Sequence, residues 1–513
     1  MRLPRVRYDM PKYKQSVVQV GGINYSDQTQ DGDLADSKNL STRRFPYICT
    51  RRGREKLPGA AYEQATALTA WGKPVSVVGS TLYFDGQAVG SVLPGEKQFV
   101  VVNTRLVIWP DKKALNLNDL TLSELGAKVS GAGAVFTDDS ITVSWSGVDL
   151  SKLFKSGDGI IISGCTAQEK NNLTVTISAV TANTIRTTAE AFTAATETAT
   201  ITLLREIPDM DFICESENRL WGCSSEKQTI YASANGEPEN FNVFQGLSTD
   251  SYALAISSEG GFTGCCKLGS SVLFWKEGTL HKILGSYPSE YSLYTYTLEG
   301  LKEGCHKSLQ VINETLFYMG PHGVHAFTGG TPSLISSNFG EREFSEAVAG
   351  NDGDSYYLAV REGEAAHLFV YETRHGIWVR EDELYCLDFA RIGKRLYMLT
   401  ESGEVYLTDS GKDEPDIEWR AAYTPFRETM EGRKIYPRVL LRVELPKGSH
   451  MTVETRSDGG AWQTAGKLVG DEADVKVMPV MANRADCFEL RLSGKGPCTI
   501  LGMLREFAVG SDA

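Results

Sequence analysis

The stretch "NRLWGCSSEKQTIYASANGEPENF", residues 218–241, carries the pattern that decides the fold. A short apolar strand ends in Leu220 and Trp221, a polar turn follows, and a second strand runs through Thr229, Ile230 and Tyr231 to a Gly-Glu-Pro stop. A hairpin like this is either one wall of an active site or one of many similar walls in a scaffold. The rest of the chain decides between them.

The pattern recurs. "VSVVGSTLYFDGQAV", "FVVVNTRLVIWPDKKAL", "GCCKLGSSVLFWKEGTLHKILG", "LQVINETLFYMGPHGVHAF" and "LDFARIGKRLYMLTESGEVYLTD" each show a strand, a polar bend, a Leu-containing strand, a second bend and a third strand. "SYYLAVREGEAAHLFVYET" supplies the last two elements of the same design. Short β-branched and aromatic runs between Gly, Asn and Asp predict an all-β chain, with one short helix expected in "SSNFGEREFSEAVAG". Leu273 to Leu316 spans 43 residues, Leu316 to Leu358 spans 42, and Leu358 to Leu396 spans 38. Blades of four antiparallel strands repeat at about 40–50 residues, so the spacing predicts a β-propeller of about six blades. A pair of β-sandwiches without ring closure is the plainer alternative.

Leu106 to Leu220 spans 114 residues, which breaks the spacing. The Thr- and Ala-rich stretch between predicts an inserted small β-barrel or sandwich at 120–205, folding on its own, since surface loops tolerate insertions. The expected organisation is an N-terminal arm and lead-in segment (1–60), the first part of the propeller (61–119), the insert (120–205), the remainder of the propeller (206–430) and a C-terminal β-sandwich (431–513).

The chain has 513 residues and a net charge of −13. Phosphate affinity comes from Lys and Arg, so general nucleic-acid binding is disfavoured, although DNA could slide along such a protein without sticking. No apolar run reaches the ~18 residues of a membrane span, and the charged N-terminus lacks the apolar segment of a secretory leader. Ten scattered cysteines without a CxxC pair read as reduced, small buried side chains, not a zinc site. His322 and His325 fall on opposite faces of a strand unless the turn bends between them. Asp352 and Asp354 lack the later Glu of a calcium loop and read as a hairpin turn. "SDGG" reads as a tight turn, and no nucleophile, metalloprotease, P-loop or dinucleotide motif stands in a suitable setting. No enzyme activity, cofactor or metal is expected.

The N-terminal stretch "GGINYSDQTQDGDLADSKNLSTRRFPYICTRRGREKL" resembles the opening of phage tail propeller proteins, at Gly21, Gly22, Asn24, Asp36, Asn39, Ser41, Pro46, Thr50, Arg51, Gly53 and Arg54. "RLWG…TIYAS…GEPENF", "LFWKEGTLHKILG", "GVHAFTGGTPSLIS" and "YETRHGIWVRED" follow in the same order. In plan the chain is similar to the tail nozzle (tail tubular protein B) and tail stabilisation proteins of short-tailed phages. The resemblance implies a structural virion protein, assembled in the bacterial cytoplasm. It implies a hexameric ring in the tail around a channel for transient, non-specific passage of DNA, beside neighbouring tail or adaptor proteins. On that reading the opening hairpin is scaffold. A carbohydrate-active propeller and a receptor- or carbohydrate-binding tail-tip or baseplate protein are the rival functions. Arg2, Arg5, Arg7, Arg43, Arg44, Arg51, Arg52 and Arg54 crowd the N-terminal region. For Arg2, Arg5 and Arg7 the plain expectation is an arm frayed in solvent; the alternative is that the arm and the Arg43–Arg54 cluster dock on acidic surface of an adjoining subunit, because an arginine grips a carboxylate with two hydrogen bonds.

Overall fold

The computed structural model describes residues 11–428, 432–470, 474–479 and 484–509. Among them the chain is all-β: the only helical pieces are three-residue 3-10 turns. The helix expected in "SSNFGEREFSEAVAG" is one such turn, Ser337–Phe339, followed by the strand Glu346–Asn351. Gly340 adopts a φ of 66°, which stops the turn after buried Phe339.

Seven four-stranded sheets recur among the described residues, where the leucine spacing predicts about six. The opening stretch lies in one of them. Phe212–Ser216 pairs antiparallel with Arg219–Ser224, which pairs with Thr229–Ala232 and so on to Tyr252–Ala255. Its first turn is two residues, Glu217 and Asn218, at φ 50° and 59°. That geometry matches the right-handed twist of the flanking strands. Asn313 and Glu314 repeat it at φ 47° and 63°. Trp221, Cys223 and Ile230 from this sheet pack with Cys265, Val272 and Phe274 of the next in one buried cluster. Burial on both faces explains why these strands read as nearly continuous apolar runs.

The chain divides into two compact units. One comprises Val75–Pro321 and Phe327–Pro332. It contains a closed six-stranded barrel, running from Ala127–Thr137 to Ala195–Arg205, inside the segment expected to be an insert. Phe136, Ile141, Ile160, Ile177, Ile201 and Leu203 fill the barrel, and the buried Glu197 carboxylate accepts the backbone N–H groups of Thr166, Ala167 and Gln168.

The other unit comprises Met1–Pro74, His322–Ala326 and Ser333–Ala513. Two larger sheets here draw strands from both ends of the sequence, unlike the separate arm and C-terminal sandwich expected. The seven-stranded sheet joins Leu40–Ser41 and Ile48–Thr50 to Thr499–Val509, Lys434–Glu444 and Asp474–Pro479, with Lys12–Val17 paired along Thr499–Val509. The six-stranded sheet runs Gly22–Ile23, Asp33–Lys38, Glu418–Tyr423, Phe488–Lys495, His450–Ser457, Gln463–Val469. The two meet where Tyr436 stacks on Phe488, ring centroids 4.4 Å apart. In the same unit Glu55–Lys56 pairs with Val405–Leu407 and completes the sheet begun by Cys386–Ile392 and Arg395–Thr400.

Candidate functional site

Two networks of charged side chains stand out, one in each unit. The first gathers the N-terminal arginines. Arg54 is 9% exposed at its side chain and grips Asp382 and, at 2.8 Å, Glu381. Burial opposes its charge, but Asp382 and Glu381 outweigh that and raise its pKa. Burial likewise raises the pKa of Glu381, against the pull of Arg54. Arg51 donates to the Asn39 side chain at 2.7 Å and to the Arg52 carbonyl at 2.8 Å, and pairs with Glu414 at 3.2 Å. Arg43 meets Asp413 at 3.0 Å, Arg52 meets Asp409 at 3.5 Å, and Arg44 pairs with Glu444 while donating to Thr499 Oγ1 at 2.8 Å.

Arg43, Arg44, Arg51, Arg52 and Arg54 are each engaged by carboxylates of their own chain. The reason is topological: the segment carrying them is built into the sheets formed by residues beyond 380, whose acidic side chains lie beside it. Arg2, Arg5 and Arg7 lie outside the described residues.

The second network fastens the barrel to the loop that ends the opening stretch. Arg105 donates to both oxygens of Glu239 at 2.6 Å. Lys155, from the barrel, sits 2.9 Å from Glu239 and also contacts Glu237. Alongside, barrel residues Arg205 and Asp158 form a buried ion pair at 2.5 Å. Asn240 donates to Asp158 at 3.2 Å, and the Gly159 N–H donates to the Asn240 side-chain oxygen at 3.3 Å. The approach requires glycine at 159, because a Cβ there would stand 2.3 Å from the Asn242 carbonyl oxygen. Burial alone would raise the pKa of Glu239, but Arg105 and Lys155 bring it down to about 2. Burial raises that of Glu237, against the bond from Lys155 and helped by the neighbouring Glu239 charge.

Two carboxylates with pKa values pushed apart are the raw material of acid–base catalysis. Here both are closed by cations, and neither Glu237 nor Glu239 lines either of two clefts among the described residues. One cleft, of about 520 Å³, lies beside the barrel and is lined by Leu173, Thr176, Thr188, Phe244, Gln245 and Leu247 among others. The other, of about 660 Å³, is polar and lined by Asn24, Tyr25, Asp27, Asn338 and Glu341 among others.

The remaining candidates resolve locally. His325 is buried and its Nδ1 lies 3.1 Å from the Gly323 carbonyl, whereas His322 is exposed, so the two do not converge. Asp352 accepts the backbone N–H groups of Asp354 and Ser355 at 2.9 and 2.8 Å, which closes a hairpin turn. Asp458 of "SDGG" accepts those of Asp486 and Cys487, both at 2.9 Å. Among the described residues no group of three or more His, Cys, Asp or Glu is placed to hold a metal ion. All ten cysteines are free thiols.

No family model matches the chain, and no curated protein does. Among solved structures, an exo-β-1,3-galactanase from Phanerochaete chrysosporium aligns over 56% of this chain and 92% of its own, at 8% identity and a TM-score of 0.22. An engineered GH43 glycoside hydrolase aligns over 59% of this chain and 98% of its own, at 9% identity and a TM-score of 0.21. An acylaminoacyl peptidase aligns over 72% and 59%, at 10% identity and a TM-score of 0.28. Scores this low leave function to be read from the chain's own residues.

Proposed function

We propose that this chain is a structural β-propeller protein of a phage tail, forming a nozzle-like ring with copies of itself around the path of the DNA. The observation that carries the scaffold reading is the use made of its charged groups. Both networks join segments far apart in sequence, and their carboxylates are neutralised by arginine and lysine. That is the chemistry of a cross-link. The seven four-stranded sheets are the blades of the proposed propeller, and the strand Glu55–Lys56, added to the last of them, supplies its closure. The tail assignment rests on the N-terminal and blade motifs that resemble tail nozzle and stabilisation proteins. A ring of identical subunits closes through heterologous contacts, and a net charge of −13 disfavours tight grip on DNA passing through.

Native mass spectrometry and negative-stain imaging of the full chain test the reading, with closed rings of about six subunits expected. A chain that stays monomeric from low to high micromolar concentration, and is absent from the tails of virions whose genome encodes it, overturns it.

A further inference from the structure

Two outermost strands, in different four-stranded sheets, have six residues each and opposite surroundings. Ile377–Asp382 is buried along its whole length. Strands of its own chain cover it: the Ser37 hydroxyl donates to the Arg380 carbonyl at 2.9 Å and accepts the Arg380 N–H at 2.8 Å. Ser292–Thr297, "SLYTYT", is exposed at all six positions. Its inner edge pairs fully with Thr279–Leu284, and its outer edge has no strand partner among the described residues. Leu293, Tyr294 and Tyr296 are 38%, 46% and 42% exposed. A long uncharged edge strand with exposed aromatics is what proteins ordinarily shorten, charge or cover, because its backbone groups template pairing with another chain.

We propose that Ser292–Thr297 is a homotypic contact: it pairs antiparallel with the same strand of a second copy about a two-fold axis. The occupant follows from the strand itself. A two-fold perpendicular to the sheet pairs residues of the same face. Centred on Thr295, it sets Tyr294 of each copy opposite Tyr296 of the other, with Leu293 opposite Thr297 on the second face. Aromatic pairs and apolar–threonine pairs are favourable cross-strand neighbours. The strand carries no charge in a chain of net charge −13, so two copies can meet here without bringing acidic groups face to face. The Thr295 hydroxyl is already engaged by His281 Nδ1 at 3.0 Å, which holds the centre of the register in place. This contact is isologous and is distinct from the heterologous contacts that would close a ring.

Sedimentation velocity of the full chain tests it. Tyr294→Lys/Tyr296→Lys and Tyr294→Glu/Tyr296→Glu each set like charges opposite one another in the self-pair. Each variant is expected to weaken the pairing about tenfold or more, and an equimolar mixture of the two is expected to restore it. Association unchanged in either variant, or lost in both and not recovered on mixing, overturns the proposal. Should a charged variant melt well below the wild type, Tyr294→Thr/Tyr296→Thr takes its place: loss of pairing supports the contact and retention overturns it. Rings that persist in every variant while pairing is lost leave the ring reading intact, so the two ideas fail separately.

Discussion

The N-terminal arginine clamp and the barrel latch do the same job with different exposure to water. In the clamp, the side chains of Arg54, Glu381 and Asp382 are 9%, 8% and 12% exposed. The latch has a dry half, Asp158 and Arg205 at 0% and 10%, and a wet half, Lys155 and Glu237 at 41% and 39%. Coulomb attraction is present in both. What differs is the cost of leaving one partner alone, which is high in a dry site and low beside water. The clamp therefore specifies where the N-terminal segment must lie more than it adds to net stability. The latch orients the barrel through its dry half, and its wet half contributes little.

The sharpest way to break the contrast is Arg54→Ala. It leaves Glu381 and Asp382 buried without their cation, and a loss of about 3–5 kcal/mol is expected in chemical denaturation. A loss below about 1 kcal/mol would mean the clamp is hydrated in solution. Next comes Asp158→Ala, which strips Arg205 and Asn240 of an acceptor. About 1.5–3 kcal/mol is expected, read as earlier proteolysis within 127–205 than in the rest of the chain. Equal protection of the barrel in variant and wild type would count against the dry half as its anchor.

A smaller effect follows from pH. The Glu239 pKa in the folded protein, about 2, lies below its ordinary 4.5. Its contribution is therefore present above about pH 4.5 and is lost as the pH falls toward 2. Glu237 runs the other way: its folded pKa is raised, so its contribution is present at low pH and is lost as the pH climbs through that value. Melting curves of Glu239→Gln should lie below the wild type at pH 7 and converge with it near pH 2–3, and a gap that widens on acidification would reverse the assignment. The smallest effect belongs to Lys155→Met, expected at no more than about 1 kcal/mol. Part of that should vanish at high salt, where screening shortens to about 3 Å at 1 M. A larger, salt-independent loss would place Lys155 with the dry half.

The repeated sheets were legible because each announces itself locally. Two-residue turns such as Glu217–Asn218 and Asn313–Glu314 sit between Leu-bearing strands, and every strand in those hairpins pairs with its neighbour in sequence. The strands of the barrel were legible from their alternating Thr and apolar residues, but their closure into a barrel was not, because Ala127–Thr137 pairs with Ala195–Arg205 and Ser140–Val143 with Thr184–Thr187, far along the sequence. Nor was the pairing of the two chain ends. Lys12–Val17 is exposed at five of its six positions, so it lacks the apolar alternation that marks a half-buried strand, and its partner is Thr499–Val509. The arginine cluster was visible as composition, but nothing within reach of Arg54 in the sequence points to Glu381, 327 residues away. Glu237 and Glu239 stand inside the stretch that decided the fold, in a loop read only as its exit. Their partners Arg105 and Lys155 belong to other elements, and single-sequence periodicity is blind to such pairings.

The strand Glu55–Lys56 has a consequence for how the chain is made. It leaves the ribosome some 350 residues before Val405–Leu407, the strand it must join. At about 5–20 residues per second the wait is roughly 20–70 s. The barrel draws all its strands from 127–205 and can form during synthesis, whereas the last four-stranded sheet can be completed only once Val405–Leu407 has been translated. Until then Glu55–Lys56 waits without its partner, so the newborn chain passes through a stage in which it carries the closing strand of a sheet whose other three strands have yet to be made.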